Sequence, residues 1–180
     1  MAALVATAVT SLLSVAEGCL TYNDAYQLAT NFGKLVSNYD SELANQTLAP
    51  NFQDYSESVN SLMASGGGSS DGLLDATFSS RAEFETASSA TSAEPFTLEN
   101  VWYTCDTVTF RWKSDQDPRP VVGISVGHTV LAPFGNPTLY RFDEIWGEFD
   151  SAAWLTNLGL LQTTSQSSKK EKRIEMAFEA

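Results

Sequence analysis

Histidine occurs once in this chain and cysteine only twice, at Cys19 and Cys105. One imidazole and two distant thiols make no nitrogen or sulfur ligand cluster, so the sequence offers no metal site. Basic residues are also scarce: ten Lys and Arg stand against 22 Asp and Glu, for a formal charge of −12 and a pI near 4.3. Such a balance argues against a nucleic-acid partner, which needs clustered cations, and against docking on anionic membranes. The one basic run, Lys169-Lys170-Glu171-Lys172-Arg173, falls in a polar tail and reads as solvated. No Ser–His or Cys–His nucleophile motif is present. The glycine-rich stretch Ser65-Gly66-Gly67-Gly68-Ser69-Ser70-Asp71-Gly72 lacks the strand, helix and lysine of a phosphate cradle. It reads as a loop that cannot bury itself, suited to a lid near a pocket mouth.

Long apolar runs are missing too. Ala2 to Val15, about 14 uncharged residues, is shorter than the roughly 20 that a membrane span needs. Followed by Ala16-Glu17-Gly18, it reads as an export signal over residues 1–18. No Lys or Arg precedes it, so the alternative is an N-terminal helix kept by the mature protein. The two cysteines either bridge or remain separate buried thiols. In an oxidising compartment a bridge would close a loop of about 86 residues, which the loop-entropy model values at roughly 4 kcal/mol or more. Asn45-Gln46-Thr47 is a glycosylation sequon, whereas Pro137 excludes Asn136-Pro137-Thr138. Together these features predict a secreted protein, with no membrane contact after signal removal.

What the chain does have is core material. Of 180 residues, 43% are hydrophobic, with four Trp, ten Phe and six Tyr, enough for one domain over residues 19–161 followed by a polar tail, 162–180. Thr21 and Asp24 form an approximate capping box. Behind it Tyr22, Ala25, Tyr26, Ala29, Phe32, Leu35, Val36 and Tyr39 recur at three- and four-residue spacing, predicting a helix over about 21–38. A short helix from Ser41, ended by Pro50, is followed by helical segments over about 56–64 and 79–89, the latter with Phe84 and Ala87 inward. From Pro95 the pattern turns to period two, predicting strands over about 96–104, 107–115, 121–132 and 139–149, joined as antiparallel hairpins. A final helix is predicted over Ala152 to Leu160. Helices first and meandering strands afterwards predict an α+β domain: a curved antiparallel sheet with helices on its concave face.

Alternation then assigns faces. On the second strand Val108, Phe110 and Trp112 point inward. On the third the inner set is Val122, Ile124, Val126, His128 and Val130, opposite Gly123, Ser125, Gly127 and Thr129. On the last it is Tyr140, Phe142, Glu144, Trp146 and Glu148, unless a bulge turns Asp143 or Ile145 inward.

Three phrases carry a resemblance: Leu48-Ala49-Pro50-Asn51-Phe52-Gln53-Asp54-Tyr55-Ser56, Cys19-Leu20-Thr21-Tyr22-Asn23-Asp24-Ala25, and Glu148-Phe149-Asp150-Ser151-Ala152-Ala153-Trp154-Leu155. With the order of elements they resemble the nuclear transport factor 2-like (SnoaL-like) superfamily, in particular its small secreted fungal members, over about Cys19 to Leu161. The resemblance implies a cone-shaped fold around a pocket, no cofactor, and dehydratase, isomerase or cyclase chemistry, pericyclic reactions included, on a small hydrophobic polyketide- or terpenoid-type molecule. It leaves as alternatives a non-catalytic secreted binding protein for an apolar ligand and an interaction module that forms a homodimer through the outer sheet face. Asp54 matches the position where related isomerases and cyclases place a carboxylate, making it the candidate base, with Tyr55 or Tyr22 donating to an oxyanion. Adjacent residues of an extended segment point oppositely, so one of Asp54 and Tyr55 faces the cavity. His128, oriented by Glu144, Asp143 or Glu148, would be the second catalytic group. A single histidine departs from the two-histidine dehydratase pattern. Tyr22, Tyr26, Trp102, Phe110, Trp112 and Trp146 would form the aromatic substrate-binding walls.

Overall fold

The computed structural model describes residues 18–65, 74–91 and 93–161. The segment read as an export signal, apart from Gly18, nearly all of the glycine-rich stretch and the polar tail lie outside the described residues. Helix α1 (Tyr22–Ser37) begins at the capping box: the Asp24 carboxylate accepts from the Thr21 N–H at 2.9 Å, and Thr21 Oγ1 accepts from the Asp24 N–H. Its buried stripe is Ala25, Leu28, Ala29, Phe32 and Leu35. Tyr22 and Tyr26 lie to one side of that stripe and are half exposed, stacked on each other at 5.9 Å. Asp40 caps α2 (Ser41–Thr47), after which the chain enters strand β1 (Leu48–Tyr55). Helices α3 (Glu57–Ser65) and α4 (Arg81–Ala90) follow, the second capped by Ser80. Strands β2 (Thr97–Tyr103), β3 (Thr107–Ser114), β4 (Val121–Leu131) and β5 (Tyr140–Phe149) lead to α5 (Ser151–Asn157), capped by Asp150.

The five strands form one sheet in the order β1-β5-β4-β3-β2. The three predicted hairpins are antiparallel, and β1 adds a parallel edge strand beside β5. No alternation announces β1, because Pro50 and Asn51 interrupt it; its register with β5 shifts between Leu48 and Gln53 at that point. The core lies between the concave face and α1. Phe32 meets the rings of Phe84, Phe110 and Phe142 there at centroid distances of about 6 Å. A disulfide joins Cys19 to Cys105, 86 positions apart, and fastens the start of α1 to the β2–β3 turn.

On β3 the predicted faces hold, with Val108, Phe110 and Trp112 inward. On β4 they are inverted. Val121, Gly123, Ser125, Gly127 and Thr129 are buried, while Ile124 is exposed and Val122, Val126, His128 and Val130 are intermediate. The cause is the size of the neighbours. A Cβ at Gly123 would overlap the Trp112 ring, and one at Gly127 would overlap Phe142. Large rings from β3 and β5 thus roof the small residues of β4, and the branched side chains turn to the convex face. On β5 a bulge changes the parity: His128 pairs with Glu144 but Thr129 with Phe142. Tyr140 and Phe142 point inward as predicted; beyond the bulge Ile145, Gly147 and Phe149 do. Glu144, Trp146 and Glu148 therefore sit on the convex side, paired with His128, Val126 and Ile124.

Candidate active site

A cavity of about 470 Å³ opens between the concave face and helices α1, α3, α4 and α5. Phe32 and Leu35 of α1, Val59 and Leu62 of α3 and Phe84 and Ala87 of α4 form its apolar roof. Its floor is the sheet: Asp54 of β1, Trp112 of β3, Ser125 of β4 and Ile145, Gly147 and Phe149 of β5.

Asp54 is directed inward by pairing. It stands opposite Ile145, an inward residue, while Tyr55 stands opposite Trp146 on the convex face and stacks on it at 5.8 Å. The free edge of β1 is closed at this point by the segment before α4. The Asp54 N–H donates to the Phe78 carbonyl at 2.9 Å, and the Thr77 N–H to the Asp54 carbonyl at 2.8 Å. The backbone is thereby fixed on both sides, but the carboxylate accepts no hydrogen bond among the described residues. Its pKa is pushed up to about 7, first by burial and then by the charge of Glu148. Glu148 is itself engaged: its carboxylate accepts from the Glu57 and Ser58 N–H groups, each at 2.9 Å, and from the Ser58 hydroxyl. A strand residue thus caps the start of α3 and anchors that helix beside Asp54.

Trp112 forms one aromatic wall. Its ring stacks on Phe96 at 5.4 Å and meets Phe149 at 5.8 Å, and its indole N–H donates to Ser125 Oγ at 3.2 Å. Phe96 in turn rests on Gly33 of α1, where a Cβ would overlap its ring.

Of the ten residues singled out from sequence, Asp54 and Trp112 line this cavity. Phe110 is buried in the core beside it. Tyr55, Trp102, His128, Glu144 and Trp146 lie on the convex face, and Tyr22 and Tyr26 on the exposed side of α1. His128 does meet a carboxylate, with Nδ1 2.7 Å from Asp143 Oδ1, but this pair is on the opposite side of the sheet from Asp54. The parity of β4 moved it there. Sequence reasoning passed over Ser125, Gly147, Phe149 and Trp154. The available signal was the small-residue alternation Gly123-x-Ser125-x-Gly127, which marks a strand face that large rings must cover.

No curated protein matches the chain in sequence. Solved structures do match in fold. A candidate polyketide cyclase from Bacillus cereus aligns with a TM-score of 0.55 at 17% identity, over 79% of this chain and 87% of that one. IdmH, a candidate polyketide cyclase from Streptomyces antibioticus, gives 0.52 at 12% identity over 75% and 98%. TsrD from Streptomyces laurentii gives 0.52 at 14% identity over 79% and 99%. At these identities the likeness concerns the fold. The sequence itself matches the family model of the NTF2-like domain over residues 18–161. That span takes in every described strand and helix, so by sequence and by architecture this chain belongs to the NTF2-like domain family.

Proposed function

We propose that this protein is a cofactor-independent cyclase, dehydratase or isomerase acting on a small hydrophobic metabolite of polyketide or terpenoid type, with Asp54 moving the proton. The observation that carries the reading is a carboxyl group without a hydrogen-bond partner among the described residues, set in an apolar cavity and held near pKa 7. A carboxylate solvated by partners would be a weak base; one raised to that range takes and returns a proton near neutral pH. The ionised Asp54 removes a proton from carbon next to a carbonyl, and the electron pair moves onto the carbonyl oxygen as an enolate. Ring closure follows when the enolate carbon attacks a second carbonyl, and the protonated Asp54 returns its proton to the new alkoxide. The walls of the cavity hold the chain folded so that the two carbons meet. Two proteins of similar fold bear cyclase names, which agrees with this reading.

The test is turnover of a panel of linear and partly cyclised polyketides and terpenoids, followed by mass spectrometry. Asp54→Asn should lower kcat/KM by about tenfold or more, and the wild-type rate should rise through about pH 7 as Asp54 ionises. Full activity in Asp54→Asn sinks the assignment. The mainly apolar lining favours a second reading, sequestration of an apolar ligand without chemistry; binding with no turnover of any panel member would establish it. The Cys19–Cys105 bridge supports residence in an oxidising compartment. Exposed Trp102, Ile124 and Trp146 on the convex face support a homodimer formed there.

A further inference from the structure

The cavity floor contains a hydroxyl whose proton is unspent. Ser125 is 3% exposed, and its Oγ accepts the indole N–H of Trp112 at 3.2 Å. An indole nitrogen only donates, so this bond occupies a lone pair and leaves the O–H free to donate elsewhere. Among the described residues no acceptor receives it. Leaving a buried donor unmatched is costly unless something else takes the proton.

The surroundings give that proton one direction. Ser125 pairs with Gly147 on β5, and both line the cavity. A Cβ at Gly147 would stand 3.2 Å from Ser125 Oγ, so the missing side chain is what opens the space beside the hydroxyl. Beyond Gly147 lies β1, whose Asp54 pairs with Ile145, two residues back along β5; two strand spacings sideways and two residues along put its backbone about 12 Å from that of Ser125. Ser56 is the other buried cavity hydroxyl; its Oγ likewise accepts, from the Val59 N–H at 3.1 Å at the entry to α3, and keeps its proton, but the space left by the missing side chain of Gly147 adjoins Ser125 and has no atom of Ser56 within 4 Å.

We infer that Ser125, oriented by Trp112, is the hydrogen-bond donor that receives a ligand's carbonyl or enolate oxygen on the cavity floor, across the Gly147 gap from Asp54. This rests on the cavity being the ligand site and deepens the reading given above. It assigns the ligand class: a flat apolar body that carries a carbonyl oxygen at one end, with the atom exchanging a proton a few ångströms away. Ser125 touches the ligand. Trp112 is a positioning residue.

The test uses binding, so that it does not depend on turnover. Two probes of nearly equal shape are 2-acetylnaphthalene, which has the acceptor, and 2-isopropylnaphthalene, which lacks it. Equilibrium dialysis should show the wild-type protein preferring the ketone by about tenfold, the worth of one well-made buried hydrogen bond. Ser125→Ala should bring the preference to within about twofold of unity while the hydrocarbon binds as before. Trp112→Phe, which keeps a ring but removes the N–H, should reduce the preference several-fold. Ser56→Ala should leave it intact. Equal binding of the two probes to wild type, or a preference that survives Ser125→Ala or vanishes in Ser56→Ala, overturns the role of Ser125 and leaves the Asp54 chemistry standing. An unaltered preference in Trp112→Phe overturns the orienting role of the indole. Failure of both probes to bind wild type overturns the cavity as ligand site, and with it the function proposed above.

Discussion

Asp54 ties function to stability through one proton. In the unfolded chain an aspartate titrates near 3.9, whereas in the folded cavity Asp54 titrates at about 7. Between those values the native state holds more protons than the unfolded state, so this group makes stability fall as pH rises. Its contribution is fully present below about pH 4 and is lost as pH climbs through about 7. Carrying the ionised form in the cavity costs on the order of 4 kcal/mol. Asp54→Asn removes that cost. Urea denaturation should therefore find the variant close to wild type near pH 4 and more stable by a few kcal/mol at pH 8; equal stability of the two proteins at pH 8 would mean that Asp54 is not buried as an acid. Asp54 was singled out by the phrase around it, and the structure puts that residue in the cavity lining. Burial, the larger cause of its raised pKa, is what an acid turned into a pocket leads one to expect; the second cause, the charge of Glu148, 94 positions later, was not legible because only the fold brings it near.

The elements were legible where local rules decide them. The capping box, the aromatic stripe and the four period-two runs each put an element within a residue or two of its place. Strand faces were harder. Counting apolar residues as inward served β3, where large side chains alternate with Arg111 and Lys113. It failed on β4, where both faces carry non-charged residues and the neighbouring rings choose the small ones. That single inversion removed His128 from the expected site, and the Asp143 bulge removed Glu144 and Trp146. The same cause gives a prediction for β4. Gly127→Val should cost about 1–3 kcal/mol or more, because its branched side chain must displace Phe142 from a packed core. Val126→Thr, one residue away on the convex face, should cost well under that. Comparable losses for both in thermal unfolding would refute the packing account of the parity.

For the whole molecule, the two sides of one sheet hold opposite offices. The concave side, closed over by helices and fastened at its end by Cys19–Cys105, holds the cavity. The convex side is left uncovered by any described element, and one row across all five strands reads Tyr55, Trp146, Val126, Thr109, Trp102. With Ile124 on the next row, between Glu148 and Arg111, this is an apolar stripe bordered by charged groups on a protein whose net charge of −12 would otherwise keep copies apart. A stable homodimer needs about 800 Å² from each partner, which a five-stranded face can supply. If this face joins two copies, light scattering after size exclusion should give twice the chain mass at micromolar concentration. Trp102→Lys with Ile124→Lys should then return it to a monomer, since paired like charges on a two-fold interface repel and lose their water. Neither side chain reaches the cavity, so ligand binding should persist in that monomer. A wild-type protein that stays monomeric at all concentrations would leave the face without this role, and loss of ligand binding on separation would make the dimer part of the site.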